Sequence, residues 1–383
     1  MTIAIIQGSP ILRYNNSYYD FNLVEFEKYL RHSDNLIYLA TIKEVDEGKI
    51  KDLYKVDSNK VNFRIIPKDG ILDYLHLRKS KQKIIENAIN EADLVVVKMP
   101  SITIGKYAAK YAKGIKKPYF VEVCGCAWDS FWHHSIQGKV LAPFNYLITR
   151  HIISDSDHVV YVTNEFLQRR YPNSKHTIGC SNVLLPESED NILRQRIERI
   201  RNRKEGDVLK IGTAGAVNVR YKSQDVVIKA ISRLKQKGLN IEYYLAGGGS
   251  KDYLENIARR YGVVDHVHFL GAVPKAKMYD FYDMLDIYIH PSIAEGLPRV
   301  LIEAESRALP ALGSNVAGTP ELLTKDCVFR KKNIDEICNL LLSFTNDKLV
   351  EQAKINFERS KDYSFEVLNE KRRVFYNEVL NKI

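Results

Sequence analysis

The sequence predicts an α/β protein of two doubly wound domains, each built on a parallel sheet, and three observations carry that expectation. Short β-rich apolar runs alternate with longer segments of helical spacing along the whole chain. At 383 residues the chain is longer than one hydrophobic core usually covers, which makes two domains the starting expectation. Near the middle, a densely charged stretch opened by a proline, LLPESEDNILRQRIERIRNRKEGD at 184–207, interrupts the strand pattern.

In the first half TIAIIQG, NLIYLAT, NFRIIP, DLVVVKMP, PYFVEVCG and HVVYVT read as strands, being runs of β-branched and aromatic residues bounded by turn formers. LKIGTAGA, IEYYLAGGG, VHFLG, DIYIHPS and PALGS repeat the pattern in the second. Segments such as DVVIKAISRLKQKGL and KDYLENIARRYG, between them, join helical spacing to a closing glycine. Strands that alternate with helices make βαβ units, and so parallel sheets. This gives Rossmann-like domains at 1–186 and 207–364, joined by a linker at 187–206 and expected to face a shared cleft. The last segment puts Phe365, Leu368, Phe375 and Leu380 at helical spacing. An isolated helix is marginal, so a helix over 365–383 is expected to pack back on the first domain.

Composition narrows the function classes. The apolar fraction of 45% suits a globular protein. There is no apolar run of about 18 residues, and MTIAIIQGSP lacks the basic head and cleavage site of a signal peptide, so a cytoplasmic location is expected. The five cysteines contain no zinc-like pair of CxxC units, and Cys124 and Cys126 read as ordinary core or loop residues. A formal charge of +10 implies an anionic partner: nucleic acid, acidic lipid or phosphorylated substrate. Lys106, Lys110 and Lys113 lie on one helical face, read as solvated or as turned to a membrane or acceptor. No nucleic-acid motif accompanies the charge.

The chemistry concentrates in DIYIHPSIAEGLPRVLIEAESRALPALGSNVAGTPELL, residues 286–323. In a parallel sheet the ligand crevice lies beyond the carboxyl ends of the strands, which is where HPSIAEGLP follows DIYI. Gly296 lets the backbone approach a ligand, and Pro298 suits the first position of a helix. The amides of Leu297, Arg299 and Val300 would then stand free at a helix start, a site for phosphate. Glu303, about one and a half turns into that helix, would reach back along the bound anion and accept from the vicinal hydroxyls of a ribose. Glu295, ahead of the helix, would face sugar hydroxyls beyond the phosphates.

These residues, Pro291-Ser292, Glu295-Gly296-Leu297-Pro298, Glu303-Ala304, Pro310 and Gly318-Thr319-Pro320-Glu321, resemble the signature of the retaining GT-B glycosyltransferases of family 4, also called group 1. KIGTAGAVNVRYKSQDVVIKAISRL resembles the family's strand, loop and helix that hold the donor diphosphate. The resemblance matches Lys222 to the family lysine and puts Gly215 in the loop. The family arginine falls on Val217, and Arg220 is the candidate substitute. YYLAGGGSKDYLENIARRYGVVDHVHFLGAVPKAKMYDFY resembles the next two strands, which implies that Gly248 and Val273 approach the nucleotide.

In the first domain only Gly8 stands where the family often has paired glycines. Cys124 or Gly125 occupies the position of its reaction-centre histidine. This loop resembles instead a polysaccharide-synthesis subgroup, making Glu122, Trp128 and Asp129 acceptor-side candidates, with His133 or His134 as a replacement histidine. Asp155-x-Asp157 precedes a strand and is read as a polar loop rather than a metal site.

What the resemblance implies is a retaining transfer of a hexose-type sugar from a nucleoside diphosphate sugar to an acceptor hydroxyl. It implies neither cofactor nor metal. Glu295, Lys222, Arg220 and Asp129 are the catalytic candidates. The acceptor expected is a glycan or lipid-linked intermediate in capsule or exopolysaccharide synthesis, met peripherally at the inner face of the cytoplasmic membrane. The competing readings are a sugar-nucleotide epimerase or hydrolase of the same shape and a non-catalytic nucleotide-sugar-binding subunit.

Overall fold

The computed structural model describes the chain apart from residues 21–22, 51–52, 69–72, 74–76, 134, 187–188 and 382–383. Two compact units emerge, one of Met1–Asn182 with the chain from Asn369 onward, and one of Val183–Leu368.

The strands of the first unit are β1 (Thr2–Tyr14), β2 (Ser17–Asp20), β3 (Asn35–Glu44), β4 (Tyr54–Lys55), β5 (Val61–Ile65), β6 (Leu94–Met99), β7 (Tyr119–Val123), β8 (His158–Tyr161) and β9 (His176–Gly179). Parallel pairing runs β5-β3-β1-β6-β7-β8-β9. Val95, Val96 and Val97 of β6 are fully buried, as a strand covered on both faces requires. β2 pairs antiparallel with the far part of β1, and β4 antiparallel with β2. That hairpin lies beyond the strand expected at TIAIIQG, because pairing resumes after a register shift between Ile6 and Pro10. It turns on Asn15 and Asn16, at φ 45° and 58°, a conformation asparagine tolerates.

The C-terminal helix (Phe365–Asn381) lays aromatic side chains on this unit. Phe375 meets Phe120 edge-on at 5.4 Å, and Tyr376 lies 5.1 Å from both Phe120 and His32.

In the second unit β10 (Leu209–Ala214), β11 (Ile241–Ala246), β12 (Val267–Gly271), β13 (Ile287–His290), β14 (Ala311–Ser314) and β15 (Val328–Phe329) form one parallel sheet. Their order is β12-β11-β10-β13-β14-β15. Chain order reverses between β10 and β13, so the loops leaving those two strands border the crevice where such sheets bind ligands.

The stretch 187–206, expected as a linker, differs: Asp190–Arg201 is a helix within the second unit. Its arginines answer the open carbonyls at the end of the helix Met278–Met284. Arg196, only 5% exposed, donates to the carbonyls of Leu285 at 2.5 Å and Tyr282 at 3.0 Å. Arg199 donates to Asp286 at 3.0 Å, and Arg203 lies 3.4 Å from the same carboxylate, at the entry to β13. Density of charge reads as solvation in a sequence; here it fastens one helix to another.

Candidate functional site

The site begins where three strands of the second unit end. Gly215 N–H donates to Ala246 O at 2.8 Å, Gly247 N–H to Gly271 O at 2.8 Å, and Val217 N–H to Gly248 O at 3.1 Å. The loops that carry Gly215, Gly248 and Val273 are therefore sewn side by side. No side chain fits at Gly247, where a Cβ would stand 2.0 Å from Gly215 O. Gln224, 1% exposed, braces the first loop by donating to the carbonyls of Gly215 and Ala216, each at 3.3 Å.

Lys222 closes a single 3-10 turn, Arg220–Lys222, ahead of the helix Gln224–Gln236. That turn is tied to the loop after β13 by Ile293 N–H donating to Tyr221 O at 2.9 Å. The two loops on either side of the chain reversal are thus joined, and their side chains meet: Lys222 Nζ lies 2.5 Å from Glu295 Oε1. His290, buried at the end of β13, brings Nε2 to 3.2 Å from the same oxygen, off the line of a hydrogen bond. Burial pushes the Glu295 carboxyl up, but His290 and then Lys222 pull harder and leave it at about 2. Arg220 does not join this group: its guanidinium stacks 3.0 Å from the Tyr253 ring centre.

Pro298 is the N-cap of the helix Arg299–Ser306, one position earlier than the sequence suggests. Its carbonyl accepts from Leu301 and Ile302, at 3.1 and 3.4 Å, while the amides of Leu297, Arg299 and Val300 donate to nothing among the described residues. The turn is held from behind by Gly318 N–H on Gly296 O at 2.9 Å, which gives the G-T-P-E segment its place. Glu303, on the second turn, accepts from Tyr282 Oη at 2.9 Å through Oε2. Burial pushes its carboxyl above the usual range, against the pull of Tyr282. The fully buried Tyr288 hydroxyl is pushed well up by burial, and the charges of Glu295 and Glu303 both add to the shift.

Sequence reasoning missed His290, Gln224, Tyr282 and Tyr288. His290 carried a signal, as the residue closing the strand before Pro291-Ser292; the tyrosines are supplied by a neighbouring helix and by the sheet.

The acceptor-side candidates, in the first unit, do not converge. A cavity of about 400 Å³ at the carboxyl ends of β1, β6 and β7 is lined by Gln7, Gly8, Lys98, Cys124 and Phe131 among others. Of the candidates Gly8 alone lines it. Glu122, 3% exposed, accepts from Lys28 at 2.9 Å, from Asn182 at 2.6 Å and from Tyr29. Burial pushes its carboxyl up, yet Lys28 and Lys98 hold it well below the usual range, so it is a paired core charge that does not line the cavity. Cys124, one of the two positions matched to the family's histidine, has its thiol pushed up to about 12 by burial and Glu122 and stays neutral.

Trp128 stacks on Trp132 at 5.3 Å, with Arg170 over its ring at 5.8 Å. Asp129 lies on the same short helix, Ala127–Trp132, and its carbonyl accepts from His133 N–H at 3.2 Å. His134 lies outside the described residues. Asp155 and Asp157 pair with Lys113 at 2.7 Å and Lys175 at 2.6 Å.

The arrangement in the second unit has the parts for an anionic, hydroxyl-bearing ligand: a cation, unsatisfied amides at a helix start, and two carboxylates. A family model described as "Glycosyl transferases group 1" matches residues 195–360, the stretch that carries all of them. Protein CapJ of Staphylococcus aureus is 32% identical over 100% of this chain and 97% of its own length. The amylovoran biosynthesis glycosyltransferase AmsK of Erwinia amylovora is 27% identical over 59% of this chain and 63% of its own.

Among solved structures, Anabaena HepE in complex with UDP superposes with a TM-score of 0.71 at 13% identity, over 98% of this chain and 99% of that one. Sucrose-phosphate synthase of Thermosynechococcus elongatus gives 0.70 at 12% identity, over 99% and 98%. At such identity the likeness establishes the fold, which is GT-B. With a relative matched end to end and the family model laid over the unit that holds Lys222, Glu295 and Glu303, the chain belongs to the group 1 glycosyl transferases.

Proposed function

We propose that this glycosyltransferase moves a hexose-type sugar from a nucleoside diphosphate sugar to an acceptor hydroxyl, retaining the anomeric configuration. The acceptor is a glycan, carried on a lipid, in the assembly of a bacterial surface polysaccharide. The single observation that carries the donor half is the convergence of Lys222 with Glu295 beside the unsatisfied amides of Arg299 and Val300.

The departing diphosphate gains negative charge as the glycosidic bond breaks, and Lys222 with the helix amides meets that charge where it grows. Binding a donor gives Lys222 a second anion to serve, which loosens its hold on Glu295 and turns that carboxylate toward the sugar hydroxyls. Glu303, with Oε1 unpartnered among the described residues and Oε2 fixed by Tyr282, accepts from the ribose. A phosphate oxygen of the leaving group takes the acceptor proton, so Glu295 and Glu303 are not a glycosidase acid and nucleophile. Charge neutralisation by Lys222 and the helix leaves no part that needs a metal or cofactor. The name of AmsK, an amylovoran biosynthesis glycosyltransferase, supports the polysaccharide setting. Among the described residues no helix is long and apolar enough to cross a membrane. On this proposal the protein works as a peripheral enzyme at the inner face of the cytoplasmic membrane.

The test is a screen of UDP-, GDP- and ADP-sugars against lipid-linked acceptors in excess EDTA, with the product anomer read by NMR. Transfer with retained configuration is expected. Inversion, or turnover abolished by EDTA, would sink the mechanism; release or epimerisation of the sugar without acceptor would make the chain a hydrolase or epimerase.

A further inference from the structure

The helix Ile136–Asp155 of the first unit is built inside out. A helix on a globular surface turns its large apolar side chains inward. Here Gly138, Ala142, Asn145 and Thr149 face in, and Asn145 Nδ2 and Thr149 Oγ1 are buried without a partner among the described residues. Over these turns the large apolar side chains face out: Ile136, Val140, Phe144 and Leu147 are 84%, 66%, 61% and 60% exposed, and only in the last turn do Ile152 and Ile153 face in. Their spacing places them within one narrow stripe of the helix surface. Trp132, which closes the preceding short helix, is 37% exposed, with the Lys139 ammonium 5.9 Å from its ring centre.

Charge says what covers this face. From Ser130 to Ser154 the chain has no aspartate or glutamate, while the exposed Lys139 and Arg150 fall together along one edge of the stripe. An apolar face edged on one side by cations, on a segment free of acid, fits the boundary between acyl chains and anionic headgroups. A second copy fits poorly, because two such faces would oppose like charges with no acid to answer them.

We propose that this helix is the membrane-binding element of the protein, lying in the plane of an anionic bilayer with Phe144 and Leu147 sunk into it. The proposal does not rest on the donor chemistry, since binding to vesicles is read without sugar transfer. The full chain is co-sedimented with phosphatidylcholine vesicles and with equimolar phosphatidylcholine and phosphatidylglycerol vesicles. The wild type is expected on the anionic vesicles, and the Phe144→Ser, Leu147→Ser double variant at least about tenfold weaker, as loss of two buried apolar side chains requires. Lys139→Glu with Arg150→Glu should weaken anionic binding and flatten its salt dependence while Tm holds. Wild type absent from both pellets, or the serine variant pelleting equally, would overturn the proposal. So would a wild-type dimer in vesicle-free buffer that the serine variant converts to monomer, which would assign the stripe to a second copy.

Discussion

At the scale of single residues, the site is held by opposition of charge. Lys222 and Glu295 lie 2.5 Å apart and largely shielded from water, so an anion arriving at Lys222 competes with a carboxylate already in place. Lys222→Ala should then lower turnover by about 10²-fold, the usual cost of losing a charge contact that strengthens in the transition state. Near-normal turnover would move the role to Arg220, now stacked on Tyr253. Glu303→Gln should raise the Kd of free nucleotide and of donor together by about tenfold, because a charge-assisted acceptor becomes a neutral one. Isothermal titration checks this, and an unchanged nucleotide affinity removes the ribose assignment. Glu295, Glu303 and Lys222 could be singled out from the sequence because each sits in a local run whose spacing has a chemical reason. His290 was not, since its meaning depends on a loop partner five residues on that only the fold brings back to it.

At the scale of elements, the helix Arg299–Ser306 has two faces with opposite tasks. Glu303 accepts from Tyr282; Glu305, fully buried, looks to the helix Asn346–Lys361, where Arg359 Nη1 lies 3.2 Å away. Burial drives the Glu305 carboxyl from 4.5 up to about 8, and Arg359 only softens the rise. A carboxyl raised on folding stabilises while protonated: the contribution is whole below the unfolded value and is lost as pH climbs through the folded one. Stability should therefore fall between about 4.5 and about 8, by on the order of a few kcal/mol. Glu305→Gln should level that stretch, as measured by urea denaturation across the pH range. A slope equal in both proteins would mean that Arg359 keeps Glu305 ionised. Sequence alone could not see this, because a glutamate two positions after Glu303 reads as solvated until a second helix is laid over it. The same limit turned Asp190–Arg201 into an expected linker: arginines such as Arg196 answer carbonyls far away in the chain.

At the scale of the whole molecule, the chain is two units with separate cores. The alternation of strands and helices made both sheets legible. What it could not place were the short additions, β2, β4, β9 and β15, whose pairing depends on neighbours rather than on their own few residues. Separate cores have a thermodynamic consequence. A ligand that binds one unit raises the stability of that unit by mass action and leaves the other where it was. Nucleotide belongs to the second unit on the reading above, while Phe375, 1% exposed, packs with Phe120, His158 and His176 in the first. Phe375→Ala should cost the first unit about 3–5 kcal/mol through lost burial and the cavity left behind. Calorimetry of the full chain should then show one transition lowered by the substitution and unmoved by UDP, and another raised by UDP and unmoved by the substitution. If UDP instead raises the transition that Phe375→Ala lowers, the two units melt as one, and their cores are not independent.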